Sequence, residues 1–414
     1  MKCFLAAAVF LCGCGASQAG KPGAEAREPA SSSSANGGMS ETEIRALFQR
    51  EAKDLTPQAV NDPQGAFTAR VGAAGAPKLS SVEGASVIDV PLGTDDSVTC
   101  QLFTEEVDPG GTLNNVLKGL RGKVEPKQAA PWAVRVMADA PAAFVSVIYY
   151  AKSQRGLLLG ELKLAMHARP QRSMLCVHDE PGYKQTFEKV VTELAESLKL
   201  KQAALPPSYM DIDTAYIGQV PVGFMSSTLK TVDSQRQFSA HGLTMLSSSP
   251  TDLLFHDDIS VETIDGNDQL LRGVWVKAEG GELAHTVKLE QVKAGTYRYE
   301  GQLQGKAVSG EIKTKDGKPL ASQLSVLKRL AREGKKTGAF SVPTEHYSPD
   351  TDPTRLIEMK YFRSPNDPPR SFRFEAGNLK FSGMLDANGY VESVQAPLGA
   401  ATLTFRRELQ RGKL

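Results

Sequence analysis

Apolar positions along the chain fall into three regimes. Residues 4–11 (Phe-Leu-Ala-Ala-Ala-Val-Phe-Leu) are continuously apolar, too short to span a bilayer, and follow the basic start Met1-Lys2. Residues 15–38 hold mostly Gly, Ala, Ser, Pro and scattered charges, a composition that cannot bury enough apolar surface to offset its ordering entropy. From Ser40 onward the pattern switches between helical and strand periods. Ser40-Glu41-Thr42-Glu43 is a capping-box pattern ahead of Ile44, Leu47 and Phe48. Residues 112–120 predict a short helix ended by Gly122. Tyr183, Phe187, Val190, Val191, Leu194 and Leu198 form an apolar stripe of helical period after Asp179-Glu180-Pro181, acids and a proline suited to a helix start. Strand-like runs lie between, at 86–90, 98–103, 132–137, 144–151, 157–165 and 173–177. This order predicts a small α+β sandwich domain over 40–200, with helices packed on an antiparallel sheet.

The double proline Pro206-Pro207 breaks the pattern and places a linker at 201–209. Beyond it, Gly-based turn signals recur, among them Asp265-Gly266-Asn267, Ala294-Gly295, Gln304-Gly305-Lys306, Asp316-Gly317-Lys318 and Asn388-Gly389. Such punctuation between short alternating runs predicts an antiparallel meander over 210–414. One helix interrupts it at 319–332, with Leu320, Leu324, Leu327 and Ala331 on one face and Gly334 at its end. The chain as a whole reads as α+β: 1–13 a signal segment, 14–39 a tether, then the two domains on either side of the linker.

Composition removes some function classes. Net charge is +1, and no basic stripe is interleaved with aromatics, so nucleic acid is not expected as a partner. The chain carries no Gly-x-Ser-x-Gly, no Walker loop and no His-Glu-x-x-His, and it shows no spaced set of metal ligands or cofactor motif. The only enzyme-like constellation is Cys176-Val177-His178-Asp179-Glu180, where Cys176 and His178 share a strand face and the acids can orient the imidazole. Its plainer reading is a cysteine in a strand followed by acids at a helix N-terminus. His256-Asp257-Asp258 and Asp211-Ile212-Asp213 read as solvated loop carboxylates. Past Cys14 only Cys100 and Cys176 remain, open to two readings: a disulfide, or two buried thiols.

Two resemblances add expectations. Leu11-Cys12-Gly13-Cys14 resembles the lipobox of bacterial lipoproteins. That implies cleavage before Cys14, a diacylglyceryl group on its sulfur and a palmitate-type acyl chain on its new amino group, together an essentially permanent membrane anchor. Gly15 stands where inner-membrane lipoproteins often carry Asp, which implies an outer-membrane address in the cell envelope. The element order of the first domain is distantly similar to small sandwich domains of the PsbP type.

Tyr216-Ile217-Gly218-Gln219-Val220-Pro221-Val222-Gly223-Phe224 and Phe340-Ser341-Val342-Pro343-Thr344-Glu345-His346-Tyr347-Ser348-Pro349 resemble segments of the β-rich domain that precedes transglutaminase-like peptidase domains in bacterial envelope proteins. The resemblance implies a curved sheet wrapped around a helix, as in lipoprotein carriers of the LolA type, with Leu320, Leu324 and Leu327 beside a hollow for a lipid or acyl chain. No peptidase domain follows it in these 414 residues, so no catalysis is carried over. The expected function is a non-catalytic binding protein for an envelope partner or a hydrophobic ligand. The alternatives are a structural accessory subunit of an envelope peptidase or transport complex, and a thiol-dependent hydrolase around Cys176 and His178.

Overall fold

Turn chemistry sets the architecture. Asp233-Ser234 (φ 47° and 64°) and Gln304-Gly305 (φ 48° and 74°) each put two residues at positive φ between strands, the type I′ geometry whose twist suits a two-residue hairpin. The computed structural model describes residues 40–414 apart from 106, 154–155, 170–171, 202–204, 351, 378 and 400. Cys14, the apolar run before it and the tether lie outside the described residues.

Hairpin after hairpin builds a fourteen-stranded antiparallel sheet between Tyr209 and Gly412. Tyr209–Ile217 lies inside this sheet, with Val220–Val232 on one side and the last strand, Ala401–Gly412, on the other. The chain meanders outward to Lys306–Lys313 at one edge and re-enters at the other edge with Phe340–Tyr347. The sheet is strongly curled, and one contact proves it. Trp275 and Tyr347 sit on strands ten places apart in the order, about 48 Å in a flat sheet at roughly 4.8 Å per strand. Their ring centroids are 5.2 Å apart.

The chain also forms four helices among the described residues: α1 (Glu41–Phe48), α2 (Pro109–Arg121), α3 (Lys184–Ser197) and α4 (Gln323–Gly334). α4 connects the two edges of the large sheet and fills its concave side. Leu324, Val326, Leu327 and Leu330 are buried there with Phe238, Val342, Phe374 and Phe405. The N-terminal strands form a seven-stranded sheet and a three-stranded one, and Phe187, Val190, Val191 and Leu194 of α3 pack with Phe67, Val71 and Phe144 between them. Cys100 and Cys176 face each other across neighbouring strands and are joined by a disulfide. Residues 201–209 connect Lys199–Leu200 of the three-stranded sheet to Tyr209–Ile217.

The α+β expectation is corrected: strands account for 59% of the structure and helices for 13%. Strands such as Thr56–Asn61 (Thr-Pro-Gln-Ala-Val-Asn) bury only Val60, so alternation did not reveal them. They exist because backbone groups pair with a neighbouring strand, here Phe67–Ala73.

A third core joins the N-terminal layers to the large sheet. Leu113 and Leu117 of α2, Val145 and Leu164 of the seven-stranded sheet, and Phe224, Leu243 and Phe255 of the large sheet belong to one buried cluster. At its edge Gly110 N donates to Asp257 Oδ1 at 3.2 Å, which sets a carboxylate against the positive end of α2. A Cβ on Gly110 would collide with the Asp257 carboxylate, so glycine permits this approach. Burial, with the hydrogen bond to Asp257, pushes Asp108 up to about 7; burial pushes Asp257 up to about 6. His241 Nε2 lies 3.6 Å from Asp257 Oδ1.

Two predictions follow from these contacts. The disulfide closes a span of 76 residues, and the chain-entropy relation assigns roughly 4–5 kcal/mol to such a closure. Denaturant titrations with and without reductant are expected to differ by that order, and equal stabilities would contradict it. The second concerns Asp108, whose raised pKa makes the folded state bind a proton that the unfolded chain releases. Its stabilisation is full below 3.8 and is lost as pH rises through about 7. Asp108→Asn, which keeps a donor toward Asp257, is expected to flatten the fall in melting temperature over that window. An unchanged pH profile would contradict the shared proton.

Candidate functional site

The strand Asp252–Ile264 sends alternate side chains to opposite faces of the large sheet. Leu253 and Phe255 join the core shared with the N-terminal layers, and Asp257 meets α2. On the concave face, Asp258 and Ser260 line a cavity beneath α4, while Glu262 accepts from Gln323 N at 2.7 Å. The expectation of solvated loop carboxylates is thus corrected. Asp257 is buried within a strand, Asp258 sits in the cavity wall, and Asp211 and Asp213 are buried in Tyr209–Ile217. The His256 imidazole is buried too, and burial lowers its pKa.

The cavity measures about 30 Å³ and is walled by Trp275, Tyr347 and Tyr361 together with Asp258, His285, His346 and Asp350. That is space for about two water molecules. His285 Nε2 lies 2.5 Å from Asp350 Oδ1, with both side chains nearly buried. Burial, then the neighbouring Asp350, holds the Asp258 carboxyl well above the usual carboxylate range, against the opposing pull of Lys277. Burial lowers His346 to about 4, so its imidazole is neutral at physiological pH. Glu262 is pushed up to about 8 by burial, and only the Gln323 N–H works against this. Among the described residues no group of three or more His, Cys, Asp or Glu side chains is placed to hold a metal ion.

The residues singled out from the sequence lie elsewhere. Leu324 and Leu327 are packed into the core under the sheet, and Leu320 into a second cluster with Trp275 and Tyr297. The three leucines are 0%, 5% and 3% exposed, and the space beside α4 is too small for an acyl chain. A wider, open cleft of about 910 Å³ runs along the outside between the two sheet edges, lined by charges of both signs, including Lys318, Arg329, Glu345 and Glu375. Cys176 is committed to its disulfide and offers no thiol. His178 is buried and lies 3.0 Å from Asp96, not poised over a nucleophile. Sequence reading missed Asp258, His285, His346 and Asp350 as a group because they lie on distant segments. The available hint was local: polar Asp258, Ser260 and Glu262 alternate with apolar Ile259 and Val261 along the strand.

No protein-family model and no curated protein matches the chain. Among solved structures it is similar to a β-barrel-like protein of the DUF1849 domain of unknown function from Brucella abortus, at 9% identity and a TM-score of 0.36, over 50% of this chain and 98% of that one. It is also similar to a DUF1089 family protein from Pseudomonas aeruginosa, at 15% identity and a TM-score of 0.24, over 48% of this chain and 96% of that one. At such scores neither likeness carries an argument about the site.

Glu262 gives the site a pH signature. Its raised pKa adds stability that is full below 4.5 and lost as pH rises through about 8. Glu262→Gln preserves the acceptor for Gln323 N–H without the ionisation. It is expected to be more stable than the parent at pH 9 by roughly 4 kcal/mol and similar near pH 5. A stability difference that does not change with pH would show that Glu262 is ionised throughout.

Proposed function

We propose that the chain is an exported, lipid-anchored binding protein of the bacterial cell envelope, without catalysis of its own, which receives a small polar ligand inside its curled sheet. The observation that carries the binding role is the pair Asp258 and His346. Both side chains line the cavity, and among the described residues neither side chain makes a hydrogen bond. A side chain short of hydrogen bonds in a small cavity gains from a ligand that supplies them. The Cys100–Cys176 disulfide supports export, since such bonds persist in oxidising compartments. Leu11-Cys12-Gly13-Cys14 supports acylation at Cys14, and Gly15 an outer-membrane address.

The closed core around α4 favours a small ligand over a lipid chain. The disulfide at Cys176 removes the nucleophile that a thiol hydrolase would need. Mass spectrometry of the membrane fraction is expected to find a diacylated, N-acylated peptide beginning at Cys14, and Cys14→Ala to leave an uncleaved precursor. An unmodified terminus downstream of Cys14 would overturn the anchor.

A further inference from the structure

We propose that the cavity beneath α4 is a binding site for a small ammonium group, that of ammonium itself or of a short primary amine, held between the Asp258 carboxylate and the His346 imidazole. The assignment rests on the binding reading above and names its ligand class. Three observations lead to it.

The first is the unused valence of the walls. The His346 imidazole, on a residue 8% exposed, lines the cavity and makes no hydrogen bond among the described residues. Being neutral, it offers an acceptor nitrogen. The Asp258 carboxylate faces the same space from the other side of the curl, likewise without a hydrogen bond among the described residues. A ligand rich in N–H donors satisfies both; a ligand with acceptors alone leaves Asp258 unpaired.

The second is charge. The groups that act on Asp258 are Asp350, Asp257 and Glu279 on the acidic side and Lys277 on the basic side. Lys277 Nζ is 3.0 Å from Glu279, and His285 is taken by Asp350. The balance is negative, so an empty site is neutralised by a proton on Asp258 and a filled one by the cation that replaces it.

The third is shape. Trp275 and Tyr347 meet edge to face at 5.2 Å, and with Tyr361 they give the cavity aromatic walls of the kind that attract a desolvated cation. The space of about 30 Å³ admits an ammonium or methylammonium head and excludes a trimethylated one.

The test uses the full chain, purified in detergent, and methylammonium chloride as probe. Calorimetry at pH 7 in two buffers of different ionisation enthalpy is expected to show one saturable site with a millimolar Kd, near the ceiling for so few heavy atoms. A proton is expected to be released on binding. Asp258→Asn and His346→Phe should each weaken binding tenfold or more, whereas Glu262→Gln should not. If Asp258→Asn fails to fold, His346→Phe alone carries the comparison. Tetramethylammonium is the size control and is expected not to bind. Ethanolamine tested free and in phosphatidylethanolamine vesicles separates a soluble amine from a lipid headgroup, and binding of either supports the site. No saturable binding of any ammonium probe up to about 100 mM would overturn the inference. So would binding without proton release, or binding indifferent to both cavity variants. If acetate or a neutral amide shifts the His346 ring resonances where the amines do not, the ammonium assignment falls while the binding reading stands.

Discussion

Closure of the large sheet around α4 is the constraint on which the rest of this molecule depends. A strongly twisted sheet of fourteen strands has two long faces to cover and two edges to protect. Here the curl brings Trp275 against Tyr347 from opposite ends of the strand order, and α4 supplies the apolar filling that a curled but unsealed sheet needs. Among the described residues the edges do not pair with one another. Lys315 N, just past one edge, donates to Glu345 of the other, and a short bridge from Gln269 to Ala321 ties the segment ahead of α4 to the sheet.

Because the concave face is filled by α4 and part of the convex face is covered by α2 and the seven-stranded sheet, the strands between them are buried on both sides. Asp252–Ile264 carries acids to each face: Asp257 outward, Asp258 and Glu262 inward. Ionised carboxylates are expensive to bury, and proteins meet that cost by pairing, by hydrogen bonds or by protonation. Hydrogen bonds and protonation are both used here. Asp257 accepts from Gly110, Glu262 accepts from Gln323 at the start of α4, and the raised pKa values keep protons on the acids that lack enough partners. The binding role proposed for the cavity uses this same tension, with a ligand's N–H groups in place of the proton.

Much of the element pattern was legible in order. The Ser40 capping box forms as its residues suggest, and the stripe from Phe187 to Leu194 is the buried face of α3. α4 begins later than its leucine spacing suggests. Ala321 bridges to Gln269 and Ser322 caps the helix, so Leu320 lies before the first turn. The balance of helix and strand was misjudged for a physical reason: edge and polar strands are held by backbone pairing with a neighbouring strand, and leave little apolar alternation behind.

What the sequence by itself determined was local: where apolar periodicity begins and ends, where φ must turn positive, and which side chains are able to carry charge, a thiol or a lipid. Tertiary structure alone decided which of these meet. Asp258 and His346 are separated by most of the large sheet in strand order and converge only because the sheet curls. Cys100 and Cys176 become a pair only because Met174–His178 inserts beside Ser97–Phe103. Side-chain chemistry is a property of each residue. Convergence is a property of how pairing, twist and core volume are satisfied together, and no window of sequence contains it.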